Sequence, residues 1–268
     1  MEEMNRGYEI IDAHCHIFPE QIAGKATESI GHFYEIPMQR MGDPVSLLEC
    51  GRRAGVSQFL VCSTATAPHQ VRAINDYISG QCAEHSEFFG FGSVHPDMEN
   101  VGNEIEYIRS RGLHGVKLHP DFQRFNIDAP EAYRIYEALG DLPVLIHMGD
   151  ARYDYSAPAR LVRVLKDFPK LHVMAAHLGG YSAWPDALEL LPHRAEYLRF
   201  DVSSSLAFIS PEYARQMISA YGYENCFWGS DFPMWDHAAE LERFFALNLT
   251  DGQNRAIFSE NFKAYFAL

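Results

Sequence analysis

With 268 residues and an apolar share of 47%, the chain can bury a full core without disulfides or structural zinc, and one large domain spanning 1–268 is the first expectation. A formal net charge of −14, from 22 basic and 36 acidic side chains with no local Lys/Arg cluster, argues against a nucleic-acid partner. The opening Met1–Tyr8 is acidic and polar, and no stretch approaches about 18 uninterrupted apolar residues; the five cysteines are scattered without a Cys-x-x-Cys pair, so the expectation is a cytoplasmic protein with no membrane partner.

Short apolar and β-branched runs alternate with longer amphipathic stretches from end to end, the rhythm of repeated βα units on a parallel sheet. Eight runs can be counted: Tyr8–Ile17, Gln58–Ser63, Phe88–His95, Gly115–His119, Pro143–His147, His172–His177, Leu198–Ser203 and Cys226–Asp231. Eight units in a chain of this length favour a closed (β/α)8 barrel, which takes roughly 250 residues. Asp43-Pro44 opens a helix and Arg53-Ala54-Gly55 closes it. The segment Pro19–Gly42 reads as a long loop containing Phe33, Tyr34 and Met38, of the kind that borders a site or forms a lid.

Residues two apart in a strand share a face, so His14 and His16 of Ile-Asp-Ala-His-Cys-His point the same way and Cys15 the other. An isolated His-x-His pair could equally be two hydrogen-bonded histidines. The pair gains weight because His147 ends the fifth run, His177 the sixth and Asp231 the eighth, all C-terminal strand ends where barrel enzymes build their sites. Imidazoles and a carboxylate crowded in a partly dry cavity must share protons or a cation, and a metal ion resolves the conflict.

At this point the sequence resembles the amidohydrolase superfamily, specifically the amidohydrolase-2 branch with its aminocarboxymuconate-semialdehyde decarboxylase-like enzymes. The resemblance spans nearly the whole chain and is carried by Ile11-Asp12-Ala13-His14-Cys15-His16, Gly115-Val116-Lys117-Leu118-His119-Pro120, Ala176-His177-Leu178-Gly179-Gly180, Gly229-Ser230-Asp231-Phe232-Pro233 and Glu260-Asn261-Phe262. It implies a TIM-like barrel whose His14, His16, His147 and Asp231 bind one divalent ion, with His177 just outside them. Zinc suits three nitrogens and one carboxylate, while manganese or iron also fits. Asp231 and His177 are then the catalytic pair, the first accepting a proton and the second hydrogen-bonding the reacting oxygen. The resemblance also suggests a homodimer.

Some members of the superfamily hold two ions bridged by a carboxylated lysine. Lys117 sits in a comparable strand but about 6 to 7 Å deeper than His119, which argues for a buried, paired ammonium instead. His119 and His95, at the mouths of their strands, are candidate substrate contacts or rim histidines. Arg124, Arg152 and Arg160 follow strands on the same face and could fork onto a substrate carboxylate or make local ion pairs. Phe18, Tyr153, Tyr155, Trp184 and Trp235 are pocket walls or packing anchors.

The ligands favour a metal-dependent hydrolase that opens an amide, lactone or related carbonyl bond of a small organic acid with activated water. Non-oxidative decarboxylation on the same ligands is the alternative, since the branch contains both chemistries. A non-catalytic metal-binding barrel is a remote third, because no ligand or proton-transfer position is lost.

Overall fold

A computed structural model describes residues 4–268, so the first three residues of the polar opening segment lie outside it. Among the described residues nine strands are formed: β1 Ile11–His16, β2 Gln58–Cys62, β3 Phe88–Gly90, β4 Gly92–Ser93, β5 Val116–Leu118, β6 Val144–Ile146, β7 Val173–Ala175, β8 Leu198–Asp201 and β9 Cys226–Phe227. Every predicted run contains a strand, but the third is interrupted at Phe91 and yields two short ones. The eighth shrinks to two residues, because the chain beyond Phe227 turns to bond elsewhere: Trp228 N–H donates to Ile257 O at 2.9 Å. No helix among the described residues is long and apolar enough to cross a membrane.

The chain divides into two compact units, residues 4–61, 86–88 and 202–268 in the first and residues 62–85 and 89–201 in the second. In the second unit β4 to β8 pair in parallel, in chain order. Val116, Val144, Val173 and Leu198 stand in register, as do Leu118, Ile146, Ala175 and Phe200. All eight side chains are buried, as expected of a parallel sheet covered on both faces. Helices Val71–Glu84, Val101–Ser110, Pro130–Leu139 and Pro158–Asp167 alternate with these strands. The register has a direct consequence: His119 and His147 each follow a paired residue, so their rings are brought side by side at the C-terminal edge.

In the first unit β1 lies beside β2, with Ser57 N–H donating to Ile10 O at 3.0 Å. On its other side β1 meets the segment that follows β9, through Ala13 N–H to Trp228 O at 2.9 Å and His16 N–H to Phe232 O at 2.7 Å. The predicted helix runs Pro44–Ala54, capped by Asp43, whose carboxylate accepts from Ser46 N–H at 2.9 Å, and closed by Gly55 at φ 79°. The supposed loop Pro19–Gly42 instead holds a 15-residue helix, Glu20–Tyr34. Its residues are mostly good helix formers, but it buries only Ala23 and Thr27, so no apolar stripe announced it.

Gly51 lies inside the helix Pro44–Ala54 where a Cβ would collide with the ring of Phe59 at Cζ. The Phe59 ring is itself fixed edge-on against Phe88, centroids 6.1 Å apart, and against His237 at 5.8 Å. Gly51→Ala should therefore destabilise the protein despite gaining about 1 kcal/mol of helix propensity, since overpacking costs about 1–3 kcal/mol. Thermal melting should show a midpoint a few degrees lower; an unchanged or raised midpoint would show that the ring can move aside.

Candidate metal centre

In the first unit the alternation of β1 brings His14 and His16 to one side, while Cys15 is buried and bridges to Phe232. The two Nε2 atoms are 3.2 Å apart, and Asp231 Oδ1 lies 3.6 Å from that of His14 and 3.3 Å from that of His16. Donors about 2.1 Å from one ion, at angles of about 90–120°, stand about 3.0–3.6 Å apart, so this triangle has the dimensions of a ligand set for a divalent ion.

The supporting contacts fix which atoms face that point. His14 Nδ1 lies 3.1 Å from Ser203 Oγ, a partner that leaves Nε2 as the lone-pair donor when Nδ1 carries the proton. Asp231 takes a left-handed backbone conformation, φ 58°, tied by its N–H to His14 O at 2.9 Å. Its Oδ2 accepts from Ser204 Oγ at 2.6 Å, and that oxygen accepts from Trp235 Nε1 at 2.9 Å. Oδ1 is thereby left toward the imidazoles.

Behind the triangle, Asp12 Oδ1 accepts from the backbone N–H of both His14 and Ser230 at 3.0 Å, while Oδ2 accepts from Ser230 Oγ. His237 Nε2 stands 3.0 Å from the same Oδ2, and His237 Nδ1 is 3.0 Å from Cys50 Sγ. Burial opposes a charge on His237, but its contacts with Asp12 and Cys50 outweigh that and hold the imidazolium up to about 9.

In the second unit His147, one residue past β6, directs Nδ1 at His177 Nε2, 3.0 Å away. His177, two past β7, is left-handed at φ 60°; its N–H donates to Asp201 Oδ1 at 3.1 Å and its carbonyl accepts from Trp184 Nε1 at 3.0 Å. Gly149 permits this arrangement, at φ 76°, since any Cβ there would stand 2.5 Å from the Gly180 backbone. His119 stacks on His147, centroids 4.1 Å apart and 11° from parallel, and on Phe122 at 3.8 Å. His147 Nε2 lies 3.5 Å from Asp121 Oδ2. Burial, followed by the charge of Asp150, pushes the Asp121 carboxyl up to about 7.

The structure thus assembles His14, His16 and Asp231 in one unit and His119, His147 and His177 in the other. His95 is buried with Nδ1 accepting from Asp97 N–H at 3.2 Å, and burial lowers its pKa. Arg152 forks onto Asp150, with Nε to Oδ1 at 3.0 Å and Nη2 to Oδ2 at 2.5 Å. Arg160 is engaged with Asp128 and Asp154 at 2.6 and 2.7 Å, while Arg124 is exposed. Lys117 is wholly buried in β5, and Trp184 and Trp235 serve as the hydrogen-bonding anchors already described. Sequence reasoning missed Asp12, Asp121, Ser203 and Ser204. Of these only Asp12, two residues before His14 on the same strand face, carried a readable signal.

The amidohydrolase family matches residues 11–266, and the chain belongs to it. Among solved structures, an uncharacterised TIM-barrel protein from Bordetella bronchiseptica is 17% identical, with a TM-score of 0.81 over 97% of this chain and 98% of its own. The 5-carboxyvanillate decarboxylase of Novosphingobium aromaticivorans, complexed with manganese and 4-hydroxy-3-methoxy-5-nitrobenzoic acid, is 16% identical with a TM-score of 0.76, covering 98% of this chain and 97% of its own. The 2,6-dihydroxybenzoate decarboxylase from Rhizobium is 14% identical with a TM-score of 0.74, covering 97% and 99%. No curated protein matches the chain. The fold class is the (β/α)8 barrel of the family.

The charge on His237 makes a stability prediction. Its folded pKa of about 9 lies above the ordinary 6.5, so its contribution is complete below pH 6.5 and is lost as pH rises through 9. Urea unfolding should lose on the order of 3 kcal/mol across that window, and His237→Gln should flatten this dependence. Equal slopes in the two proteins would remove the imidazolium from the stability of the site.

Proposed function

We propose that the chain is a divalent-metal-dependent decarboxylase that releases carbon dioxide, without oxidation, from a small aromatic or unsaturated carboxylic acid. The observation that carries metal dependence is the His14–His16–Asp231 triangle, with donors 3.2 to 3.6 Å apart. Full-length likeness to two kinds of benzoate-type decarboxylase favours this reaction over hydrolysis of a carbonyl bond. Hydrolysis is the second reading, favoured by the family's description and by a ligand set equally able to activate water.

In this proposal His14, His16, His147 and Asp231 hold one ion. Manganese is favoured by the bound metal of the Novosphingobium enzyme, and zinc and iron also suit the donors. When bound, the ion supplies positive charge that attracts the substrate carboxylate and offsets negative charge developing beside it. Asp231 holds a proton at Oδ2, where Ser204 Oγ can exchange donor for acceptor, and delivers it to the carbon that carbon dioxide leaves. The acid R–COO⁻ and that proton become R–H and carbon dioxide, so the balance needs no oxidant. His177, braced by Asp201 and Trp184, hydrogen-bonds the substrate oxygen. His119, His95 and the arginines 124, 152 and 160 remain candidate substrate contacts. The absence of any disulfide among the described residues supports a reducing cytoplasm as the place of work.

The manganese-loaded protein should release carbon dioxide from a panel of hydroxybenzoic and unsaturated acids, with no solvent oxygen entering the product in water enriched in heavy oxygen. Lactones and amides in the same panel test hydrolysis: a product acid carrying solvent oxygen, with no carbon dioxide, would overturn decarboxylation. Asp231→Asn should lose at least about 100-fold in kcat/KM while keeping the fold, and a variant of near-normal activity would exclude the proton-transfer role.

A further inference from the structure

Asp121 follows His119-Pro120 in the short turn Pro120–Gln123, and its side chain is fully covered. Gln123 pins the turn, accepting from His119 N–H at 2.9 Å and donating to the carbonyls of Ala65 and Val94 at 2.9 and 2.7 Å. Neither oxygen of the Asp121 carboxylate has a hydrogen-bond partner. The guanidinium of Arg152 is forked onto another carboxylate, that of Asp150. A buried carboxylate so placed lacks the donors that normally accompany one, and a cation would satisfy it.

Geometry says where the cation would sit. Asp121 Oδ2 and His147 Nε2 are 3.5 Å apart, within the 3.2 to 3.6 Å range of the His14–His16–Asp231 triangle. Donor atoms of His119, Asp121 and His147 all fall within 4.8 Å of one another. The stack of His119 on His147, with Phe122 on the far side of His119, holds the His147 ring in the plane that presents this edge to Asp121.

We propose that Asp121 and His147 are ligands of a divalent cation in the second unit, positioned by the His119 stack. The inference rests on the metal dependence proposed above. A carboxylate among the donors raises the share of oxygen, which moves preference from tetrahedral zinc toward manganese.

The test is manganese binding to the full chain, stripped with chelator and titrated with the metal alone while free Mn(II) is followed by its electron paramagnetic resonance signal. Asp121→Asn should weaken binding by at least about 10-fold, weaken zinc binding less, and alter the resonance of the bound ion; Asp121→Glu should recover part of the loss. An anomalous scattering map of manganese-loaded wild type should place the ion within about 2.3 Å of an Asp121 oxygen, a readout that does not depend on the variants folding. Unchanged manganese affinity in a folded Asp121→Asn, or an ion beyond reach of Asp121, would overturn the assignment. If Asp231→Asn weakens binding and Asp121→Asn does not, this inference falls while metal dependence stands. If wild type binds no divalent ion, both fall.

Discussion

The carboxylate of Asp12 is the tie on which the first unit's donor triangle depends. One of its oxygens accepts from the backbone of His14 on β1 and of Ser230 beyond β9, so two segments more than two hundred residues apart are drawn onto a single atom. Asp231 follows immediately, in a left-handed conformation that a non-glycine residue enters only at some cost. The Asp12 bonds, the Asp231 N–H to His14 carbonyl bond and the Ser204 hydroxyl together over-determine that conformation. His237 stands 3.0 Å from the other oxygen of that carboxylate, so the fully buried pair face each other as well as the two chain segments.

The second unit works by register. Parallel strands of equal length bring the residues just past their ends to one level, and the sequence fills those places with His119, His147 and, one step later, His177. Stacked and hydrogen-bonded to one another, the rings have little rotational freedom left, so positioning losses are met during folding instead of at substrate binding.

Much of this was legible in the sequence because it is periodic. The two-residue alternation of β1 exposes His14 and His16 as a pair, and the βα rhythm marks His147, His177 and Asp231 as strand ends. The helix Glu20–Tyr34 was illegible for the converse reason: a helix that buries two small side chains leaves no apolar stripe to count. Asp121 was hidden by context, since an acidic residue just after His-Pro is ordinary in the first turn of a helix, and the groups it meets, Asp150 and His147, are 29 and 26 residues away in sequence. His237 carries no periodic signal, because its partners, Asp12 and Cys50, lie at the far end of the chain.

The close approach of Gly149 to Gly180 has a consequence for how such a chain can diversify. Gly149 N–H donates to the Ser156 carbonyl at 3.1 Å, and Ser182 Oγ accepts from Ala151 N–H at 2.7 Å, so the loop between these points is cinched at its base. Its tip carries Tyr153, which is 44% exposed, stacked on Tyr155 at 5.6 Å. A cinched base insulates the histidines at the root from whatever is written at the tip. Residues at the tip can therefore vary while the histidines at its root stay registered, separating change at the surface from change among the buried groups within a single loop.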